Sequence, residues 1–241
     1  MTGHLALVGG DEFKPGNEEQ DRLLLAAFRA KGGRAFIVPT AAARGGPEAA
    51  VATATRWFAS LGLEVEELRV LTRRDANSDL LAGAAQEGGF FYLAGGDPGH
   101  VATTLRESAV WRAIIDRWRD GAVLAGSSAG AMAMGEWTLI RDRYPGHVSR
   151  NYRPALSVLA GVAVCPHFET FGHRWVDSAS ARAPRPDVIL LGIDERSAAV
   201  WDGKAWIARG PGVVTVIEAG GRRVSRSGEE IQLPVPGRPP A

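Results

Sequence analysis

The chain has 241 residues and nearly balanced charge, with 28 Lys and Arg side chains against 27 Asp and Glu. Such a balance, without a run of like charges, argues against a general nucleic-acid binder and against binding to anionic membranes. No apolar stretch approaches the roughly 20 residues that span a bilayer, and the first residues lack a basic region followed by an apolar core. We therefore expect a cytoplasmic protein with neither a nucleic-acid nor a membrane partner.

The single cysteine, Cys165, excludes an intramolecular disulfide and a zinc site built from several cysteines. No group of residues has the spacing of metal ligands, so we expect no metal and no organic cofactor. A chain of this length can form one α/β domain with a well-filled core. We expect one domain over 1–233, followed by a loose tail over 234–241, where prolines are frequent and apolar periodicity is absent.

Strands and helices alternate along the first half of the chain. Short apolar runs that end in Gly or Pro predict strands, and the amphipathic segments between them predict helices. In chain order, the predicted elements are a strand at Leu5–Val8, a helix over 17–31, a strand at Arg34–Val38, a helix over 47–61, a strand over 64–71, a helix over 77–86, a strand over 90–94 and a helix over 98–119 that breaks near Ser108. This alternation is typical of a parallel sheet covered by helices on both faces.

The pattern changes in the second half. An apolar run from Val123 predicts a strand, and a short helix of small residues follows it. The later elements are predicted strands over 158–164 and 187–193 with a helix over 170–183 between them, then strands at Ala198–Trp201, over 205–208 and at Val213–Glu218, with a hairpin turn at Asp202 and Gly203. The expected fold is an α/β, doubly wound, mostly parallel sheet flanked by helices, with antiparallel strands near the C-terminus.

Residues 126–130, Gly-Ser-Ser-Ala-Gly, satisfy the G-x-S-x-G pattern of a nucleophile elbow. A strand-to-helix turn tight enough to lift one side chain clear of the sheet crowds its neighbours, so the flanking residues must be small. Ser128 would lie at the N-terminus of the helix, where free N–H groups favour a developing negative charge. The pattern therefore indicates that Ser128 is the nucleophile of a hydrolase and not part of an ordinary turn.

A catalytic serine needs a general base, and histidine is the usual one. Active sites in open α/β sheets lie at the carboxyl ends of the strands, and His167 follows a strand that should end at the same edge as Ser128. The last histidine is His173, which disfavours the residue order of an α/β-hydrolase. Two acids, Asp194 and Glu195, end a later strand, and either one can orient His167.

The Gly-Gly-Asp sequence at 95–97 follows a buried strand and can present backbone N–H groups without a Cβ in the way. Together with the N–H of Ala129, such a group would form an oxyanion hole. Asp97 and His100 follow closely, and we expect both to face the substrate pocket.

Several arginines lie in an irregular stretch after the elbow helix. A loop of this length without clear structure is often a lid or a binding loop. Arginine binds carboxylates in a bidentate manner, so these side chains are candidates for contact with an acidic substrate. The candidates are Arg141, Arg143, Arg150 and Arg153.

Residues 9–13, Gly-Gly-Asp-Glu-Phe, match the signature of diguanylate cyclases. In that family the signature lies on a hairpin well inside a domain, whereas only eight residues precede it in this sequence. We therefore interpret it as a turn at the end of the first strand.

Four short segments occur in order: Leu-Ala-Gly-Gly-Asp at 93–97, Gly-Ser-Ser-Ala-Gly-Ala at 126–131, Pro-His-Phe at 166–168 and Gly-Ile-Asp-Glu at 192–195. Together they resemble the dipeptidase E/cyanophycinase family of serine peptidases, and the resemblance extends from the first strand to Val200. It implies a class I glutamine amidotransferase-like, flavodoxin-like fold. A serine stands at the nucleophile position that cysteine occupies in the amidotransferases.

The resemblance also implies roles for individual residues. It implies a catalytic triad of Ser128, His167 and Glu195. It further implies that the backbone N–H groups of Gly96 and Ala129 form the oxyanion hole. The reaction expected from such a site is acyl transfer to the serine, followed by hydrolysis.

The sequence departs from cyanophycinases in segments that bear on the substrate. After the Gly-Gly-Asp segment, cyanophycinases usually carry Gln, whereas this chain has Pro98. Before the histidine, cyanophycinases carry Asp-Gln, whereas this chain has Cys165 and Pro166. The Pro-His-Phe segment around His167 looks more like the dipeptidase side of the family. We therefore expect a serine exopeptidase that acts on small aspartyl peptides.

Three alternatives to this expectation remain open. The same triad could cleave the cyanophycin polymer or a non-peptide amide, or the chain could be a non-catalytic binding protein that keeps the fold. The apolar C-terminal strands also favour a contact between two copies in a homodimer.

Overall fold

The computed structural model describes residues 2–141 and 149–237. The strands are β1 (Leu5–Val8), β2 (Arg34–Val38), β3 (Glu66–Glu67), β4 (Gly88–Leu93), β5 (Val123–Ser127), β6 (Gly135–Arg141), β7 (Arg150–Pro154), β8 (Leu159–Cys165), β9 (Ile189–Ile193), β10 (Ala198–Trp201), β11 (Trp206–Arg209), β12 (Val213–Glu218), β13 (Gly221–Arg226) and β14 (Glu230–Ile231). The helices are α1 (Glu18–Lys31), α2 (Pro47–Ser60), α3 (Arg73–Ala76), α4 (Asp79–Gln86), α5 (Pro98–Leu105), α6 (Ala109–Arg119), α7 (Ala129–Met134) and α8 (Val176–Ala181), with 3-10 turns at Thr40–Ala42 and Gly172–Trp175.

The first sheet has eight strands in the order β14-β11-β10-β1-β5-β4-β2-β3. The strands from β1 to β3 in this order are parallel, because helices return the chain to the same edge before each new strand. The strands β10, β11 and β14 add to it in antiparallel fashion. The predicted hairpin turn joins β10 to β11: Gly203 has a φ of +96°, and the N–H of Asp202 donates to the carbonyl of Ala205 over 3.2 Å. The predicted α/β fold is confirmed.

Helices cover both faces of the parallel strands. On one face Trp111 and Trp118 of α6 belong to a core with strand residues such as Phe91. On the other face Leu24 of α1 and Phe58 of α2 belong to a second core. Both faces are covered, so β4 and β5 are buried along their whole length and show no alternation of apolar and polar residues.

The strands after the elbow form a second sheet, in the order β13-β12-β9-β8-β6-β7. In it β8 runs parallel to β6 and β9, and the remaining pairs are antiparallel. The stretch expected to be irregular is largely β6 and β7, which pair directly, while residues 142–148 lie outside the described residues. The prediction failed there because β7 is an edge strand made mostly of polar residues, which hide the usual apolar alternation.

Other predicted elements differ in extent. The strand expected over 64–71 is reduced to Glu66–Glu67, although Leu68 and Val70 beyond it are buried. The long helix does break as predicted, because Ser108 caps α6 by accepting a hydrogen bond from the N–H of Trp111 over 3.1 Å. The helix expected over 170–183 is a 3-10 turn followed by the short α8.

Part of the predicted loose tail packs against the body of the chain. The indole N–H of Trp206 donates to the carbonyl of Pro234 over 2.9 Å, and the N–H of Gly237 donates to the carbonyl of Val158 over 2.7 Å. Pro236 is buried. Residues 238–241 lie outside the described residues. None of the described helices combines the length and apolar character needed to cross a membrane.

The carboxyl ends of the two sheets meet. The N–H of His167, beyond β8, donates to the carbonyl of Gly9, beyond β1, over 2.6 Å. The N–H of Gly9 in turn donates to the carbonyl of Ser197 over 2.9 Å. These hydrogen bonds bring the segments that follow β1, β8 and β9 close to one another.

Candidate active site

Ser128 lies between the end of β5 and the first residue of α7, with a φ of 49° and a ψ of −112°. Residues other than glycine rarely adopt this conformation, which costs on the order of 1–3 kcal/mol. The surrounding structure enforces it: the N–H of Ser128 donates to the carbonyl of Val8 over 3.0 Å. The serine side chain is thereby lifted above the edge of the sheet, as the elbow pattern predicts.

The two glycines of the elbow are required for steric reasons. A Cβ on Gly126 would lie 2.8 Å from the carbonyl carbon of Gly130, and a Cβ on Gly130 would lie 2.3 Å from the carbonyl oxygen of Leu93. Both clashes involve backbone atoms that cannot move aside. The G-x-S-x-G pattern is therefore a packing requirement of the turn as well as a sequence signature.

His167 connects the serine to a carboxylate. The hydroxyl of Ser128 lies 3.1 Å from Nε2 of His167, and Nδ1 of His167 lies 2.7 Å from Oε1 of Glu195. With its proton on Nδ1, the histidine donates to Glu195 and leaves Nε2 free to accept from Ser128. The ring is fixed by stacking on Phe171, with centroids 4.9 Å apart, and by Gly10, where a Cβ would lie 2.2 Å from Cε1 of the histidine.

The structure distinguishes the two acids that end β9. Oδ2 of Asp194 accepts a hydrogen bond from the N–H of Val213 over 3.0 Å, so this carboxylate holds β12 and not the histidine. The N–H of Glu195 is bound by the carboxylate of Glu169, at 3.0 and 3.1 Å. Burial, together with the nearby charges of Asp194 and Glu195, raises the pKa of Glu169. Of the two acids, only Glu195 contacts the histidine.

Two backbone N–H groups lie beside the serine with no acceptor in residues 2–141 and 149–237. One belongs to Ala129, at the start of α7, and the other to Gly96. Gly96 has a φ of +143°, and a Cβ there would lie 2.2 Å from the carbonyl oxygen of Ala41. The loop is pinned by the N–H of Asp97, which donates to the same carbonyl over 2.8 Å. These amides have the surroundings of an oxyanion hole.

Ser128, His167 and the two amide-bearing residues line a cavity of about 940 Å³. Asp97 also lines it, but its Oδ1 caps α5 by accepting from the N–H of His100 over 2.9 Å. The ring of His100 itself is directed elsewhere, because its Nε2 lies 2.9 Å from the carbonyl oxygen of Leu71. Among the described lining residues His100 is absent, so the structure does not bring it to the pocket as expected.

The candidate arginines divide into two groups. Arg141 and Arg150 line the cavity, and the Arg150 guanidinium lies over the ring of Trp175, 4.1 Å from its centroid. Burial and the nearby charge of Arg141 lower the pKa of Arg150. Arg153 is exposed on β7 and is not among the cavity residues, and Arg143 lies outside the described residues.

Among the lining residues that the sequence did not single out as part of a site are Glu12, Arg44, Phe171 and Trp175. Glu12 lies four residues beyond the end of β1, in the segment that the sequence analysis interpreted only as a turn. Cys165 is buried beside the site, and burial raises the pKa of its thiol to about 12, which keeps it protonated. Residues 2–141 and 149–237 contain no group of three or more His, Cys, Asp or Glu side chains arranged to hold a metal ion.

An α/β fold with a serine elbow at the carboxyl ends of its parallel strands is typical of serine-type hydrolases. Comparison with known proteins refines this class. Residues 5–208 match peptidase family S51, and the chain belongs to this family of serine-type peptidases.

Relatives in sequence and structure agree with this assignment. A cyanophycinase from Trichormus variabilis is 29% identical to this chain, over 88% of this chain and 72% of its own length. A cyanophycinase from Synechococcus elongatus is also 29% identical, over 90% of this chain and 69% of its own length. The crystal structure of a peptidase from an acI-B1 Actinobacterium has a TM-score of 0.84 at 30% identity and covers 97% of this chain and 98% of its own. A peptidase E-like protein from Listeria monocytogenes EGD-e shares the fold. Its structure has a TM-score of 0.62 at 17% identity and covers 88% of this chain and 100% of its own.

Proposed function

We propose that this chain is a serine peptidase that hydrolyses small aspartyl-containing peptides through an acyl-enzyme on Ser128. The observation that carries the proposal is the continuous contact from the Ser128 hydroxyl through His167 to Glu195, at 3.1 and 2.7 Å. Those distances lie within hydrogen-bond reach for a nucleophile, its base and the group that orients the base. No organic cofactor or metal enters the proposed reaction.

In the first half of the reaction, Nε2 of His167 takes the proton of Ser128 as the serine oxygen attacks the scissile carbonyl carbon. The carbonyl oxygen becomes an oxyanion and is stabilised by the N–H groups of Gly96 and Ala129. The carboxylate of Glu195 keeps the proton on Nδ1 and stabilises the imidazolium that forms.

In the second half, His167 gives its proton to the nitrogen of the leaving amine, and the carbon–nitrogen bond breaks. The remaining acyl group is then esterified to Ser128. Water enters, loses a proton to His167 and attacks the ester carbonyl. The acid product leaves and Ser128 recovers its proton, which returns the site to its starting state.

Specificity for an aspartyl residue is assigned to the positive side of the cavity. Arg141 and Arg150 both line it, and arginine pairs with carboxylates through two parallel hydrogen bonds. Phe171 and Trp175 provide an apolar wall nearby. A small substrate with one acidic side chain fits this combination of a cationic and an apolar surface.

A second candidate is cleavage of a cyanophycin-like substrate, in which arginine is attached to an aspartyl side chain. The cyanophycinase relatives favour it. Against it stand Pro98 and Cys165-Pro166, at positions where cyanophycinases carry other residues. Glu12 and Asp97 supply negative charge in the same cavity, so an arginine-containing substrate belongs in any test.

The test is hydrolysis of a panel of peptides by the wild-type protein and by Ser128→Ala. The panel contains Asp-X dipeptides, longer peptides with Asp at either end, β-Asp-Arg, and matched Asn-X dipeptides as uncharged controls. We expect Asp-X turnover that is lost in Ser128→Ala and absent with Asn-X. Turnover of β-Asp-Arg alone would favour the second candidate. Asp-X activity that survives in Ser128→Ala would contradict the proposal.

A further inference from the structure

The turn that follows β1 places a carboxylate between two segments of the candidate site. Oε1 of Glu12 accepts a hydrogen bond from the N–H of Gly95 over 3.2 Å. Its Oε2 accepts one from the hydroxyl of Ser127 over 2.9 Å. Gly95 immediately precedes the residue whose N–H is assigned to the oxyanion hole, and Ser127 immediately precedes the nucleophile.

We propose that Glu12 is a positioning residue that fixes the oxyanion-hole loop at its working distance from the nucleophile elbow. The inference rests on the proposed function, because it needs a reaction in which Ser128 attacks and Gly96 stabilises the oxyanion. One side chain, bound to both loops, links the two groups whose separation determines how well the transition state is stabilised. Such stabilisation requires donors placed at the developing charge in advance.

The backbone around Glu12 holds the side chain in place. Asp11 and Phe13, on either side, both have positive φ values, 55° and 59°, which are uncommon for residues other than glycine. The ring of Phe13 is buried against Phe58 and Tyr92, with centroids 5.7 and 5.0 Å away. A turn anchored by this buried ring leaves Glu12 little freedom to swing away from its partners.

The other side of the turn is anchored near the triad. Oδ2 of Asp11 lies 3.2 Å from Nε of Arg196, and the backbone N–H of Arg196 donates to the carbonyl of Gly10 over 2.9 Å. Arg196 directly follows Glu195 in the chain. The turn after β1 therefore contacts the nucleophile elbow, the oxyanion-hole loop and the segment that carries Glu195.

A carboxylate suits this position because both of its partners are donors and each of its oxygens accepts. In Glu12→Gln, the amide oxygen still accepts from the Gly95 N–H, and the Ser127 hydroxyl can rotate to accept from the amide nitrogen. Both hydrogen bonds are retained, and only the charge is lost. In Glu12→Ala both are lost, so the two loops are no longer tied together.

The experiment compares Glu12→Ala, Glu12→Gln, Ser127→Ala and the double variant Glu12→Ala/Ser127→Ala with the wild type. Two quantities are measured: kcat and KM on the best dipeptide of the panel, and the rate at which a fluorophosphonate probe labels Ser128. We expect Glu12→Ala to lower both kcat and the labelling rate by about 100-fold, the scale of a small misplacement of catalytic groups. KM should be unchanged, and Glu12→Gln should restore most of the rate.

Ser127→Ala should lower both rates less than Glu12→Ala does, because one of the two hydrogen bonds remains. The double variant should be no slower than Glu12→Ala, since both residues act through one link. Glu64→Ala, at an exposed glutamate that does not line the cavity, is the matched control and should behave as wild type. Thermal unfolding of every variant identifies any that does not fold. If Glu12→Ala does not fold, the rates of Glu12→Gln and Ser127→Ala are compared with those of the wild type instead.

Two results would overturn the role of Glu12. Wild-type labelling and kcat in Glu12→Ala would show that the link is unnecessary. A raised KM in both Glu12→Ala and Glu12→Gln, with unchanged labelling, would show instead that Glu12 binds a cationic group of the substrate. Absence of labelling at Ser128 in the wild type would contradict the proposed function itself, so the two failures are distinguishable.

Discussion

His167 is constrained on three sides, and each contact restricts a different freedom of the ring. The carboxylate of Glu195 lies 2.7 Å from Nδ1, the ring of Phe171 stacks on the imidazole, and Gly10 approaches its edge closely. In the proposed reaction, a base held in this way would need little reorganisation to accept the proton of Ser128. That rigidity is what a general base in acyl transfer requires.

The proposed role of Glu195 in orienting His167 can be tested by comparing Glu195 with its neighbour Asp194. We predict that Glu195→Gln lowers kcat by roughly 10³- to 10⁴-fold, because an amide nitrogen facing Nδ1 favours the wrong tautomer. Asp194→Asn is the matched control and should keep kcat within about twofold, since its side-chain oxygen still accepts from the N–H of Val213. Steady-state kinetics on the best substrate of the panel measure both. Equal losses in the two variants would contradict the assignment.

The arginines that line the cavity can be compared with one that lies outside it. We predict that Arg141→Ala and Arg150→Ala each raise KM for an aspartyl dipeptide by about 10- to 100-fold, the value of a charge-assisted hydrogen bond. Arg153→Ala, on exposed β7 outside the cavity, should leave KM unchanged. Initial rates over a range of substrate concentrations give KM for each variant. A rise in KM for Arg153→Ala as large as for the other two variants would contradict the proposal that the substrate carboxylate binds beside Arg141 and Arg150.

Much of the site could be predicted at the level of residues, because strand ends of a parallel sheet share one edge. That rule correctly predicted that Ser128 and His167 lie together, but the expectation of one shared sheet edge was wrong: β5 and β8 belong to different sheets, whose carboxyl ends meet. It could not separate Asp194 from Glu195, since both end the same strand and only their side-chain partners differ. Glu12 was missed because its segment was interpreted as a turn, and a turn residue's side-chain contacts across the fold leave no trace in local sequence.

At the level of elements, the elbow between β5 and α7 stores strain at Ser128. We predict that Ser128→Gly is about 1 kcal/mol more stable to unfolding than Ser128→Ala, because glycine adopts a φ of 49° and a ψ of −112° without steric cost. Both variants lack the nucleophile, so activity does not distinguish them. Urea denaturation gives the two free energies of unfolding. A less stable Ser128→Gly would contradict the presence of strain.

Elements were predicted well where both faces of a strand are buried, as in β1, β4 and β5, because continuous apolar runs are easily recognised. They were missed where one face is polar. β7 reads Arg-Asn-Tyr-Arg-Pro, which resembles a loop in sequence and becomes a strand only because β6 lies beside it. The division into two sheets was equally hidden, since it depends on pairings between segments distant in sequence.

At the level of the whole molecule, the apolar C-terminal strands are accounted for within one chain. Val214 and Val216 of β12 and Trp206 of β11 are buried by the chain's own packing. Their apolar character therefore no longer argues for a contact between two copies. A homodimer stays a prediction.

Global stability should depend on pH through a buried acid in α1. Asp21 is 1% exposed, and burial raises its pKa from 3.8 to about 7, although the indole N–H of Trp57 donates to Oδ2 over 2.7 Å. Between these values the folded chain keeps a proton that the unfolded chain has lost. Stability therefore falls as pH rises through this range, by at most about 1.4 kcal/mol per pH unit.

We predict that Asp21→Asn removes this contribution. Its free energy of unfolding should exceed that of the wild type at pH 8, and the difference should shrink as the pH falls toward 3.8, where the unfolded chain also begins to bind the proton. Asp79→Asn, at an exposed position, is the control and should follow the wild type throughout. Urea titrations between pH 4 and pH 8 provide the comparison. Parallel curves for wild type and Asp21→Asn would contradict the prediction.

The central claim is that Ser128 is a nucleophile activated by His167. The most direct measurement is to treat the wild-type protein with a fluorophosphonate, determine its mass, and map the modified residue by fragmentation. We predict one adduct, on Ser128, that is absent from Ser128→Ala and forms far more slowly in His167→Ala. An adduct at another residue, or equal labelling of wild type and His167→Ala, would contradict it.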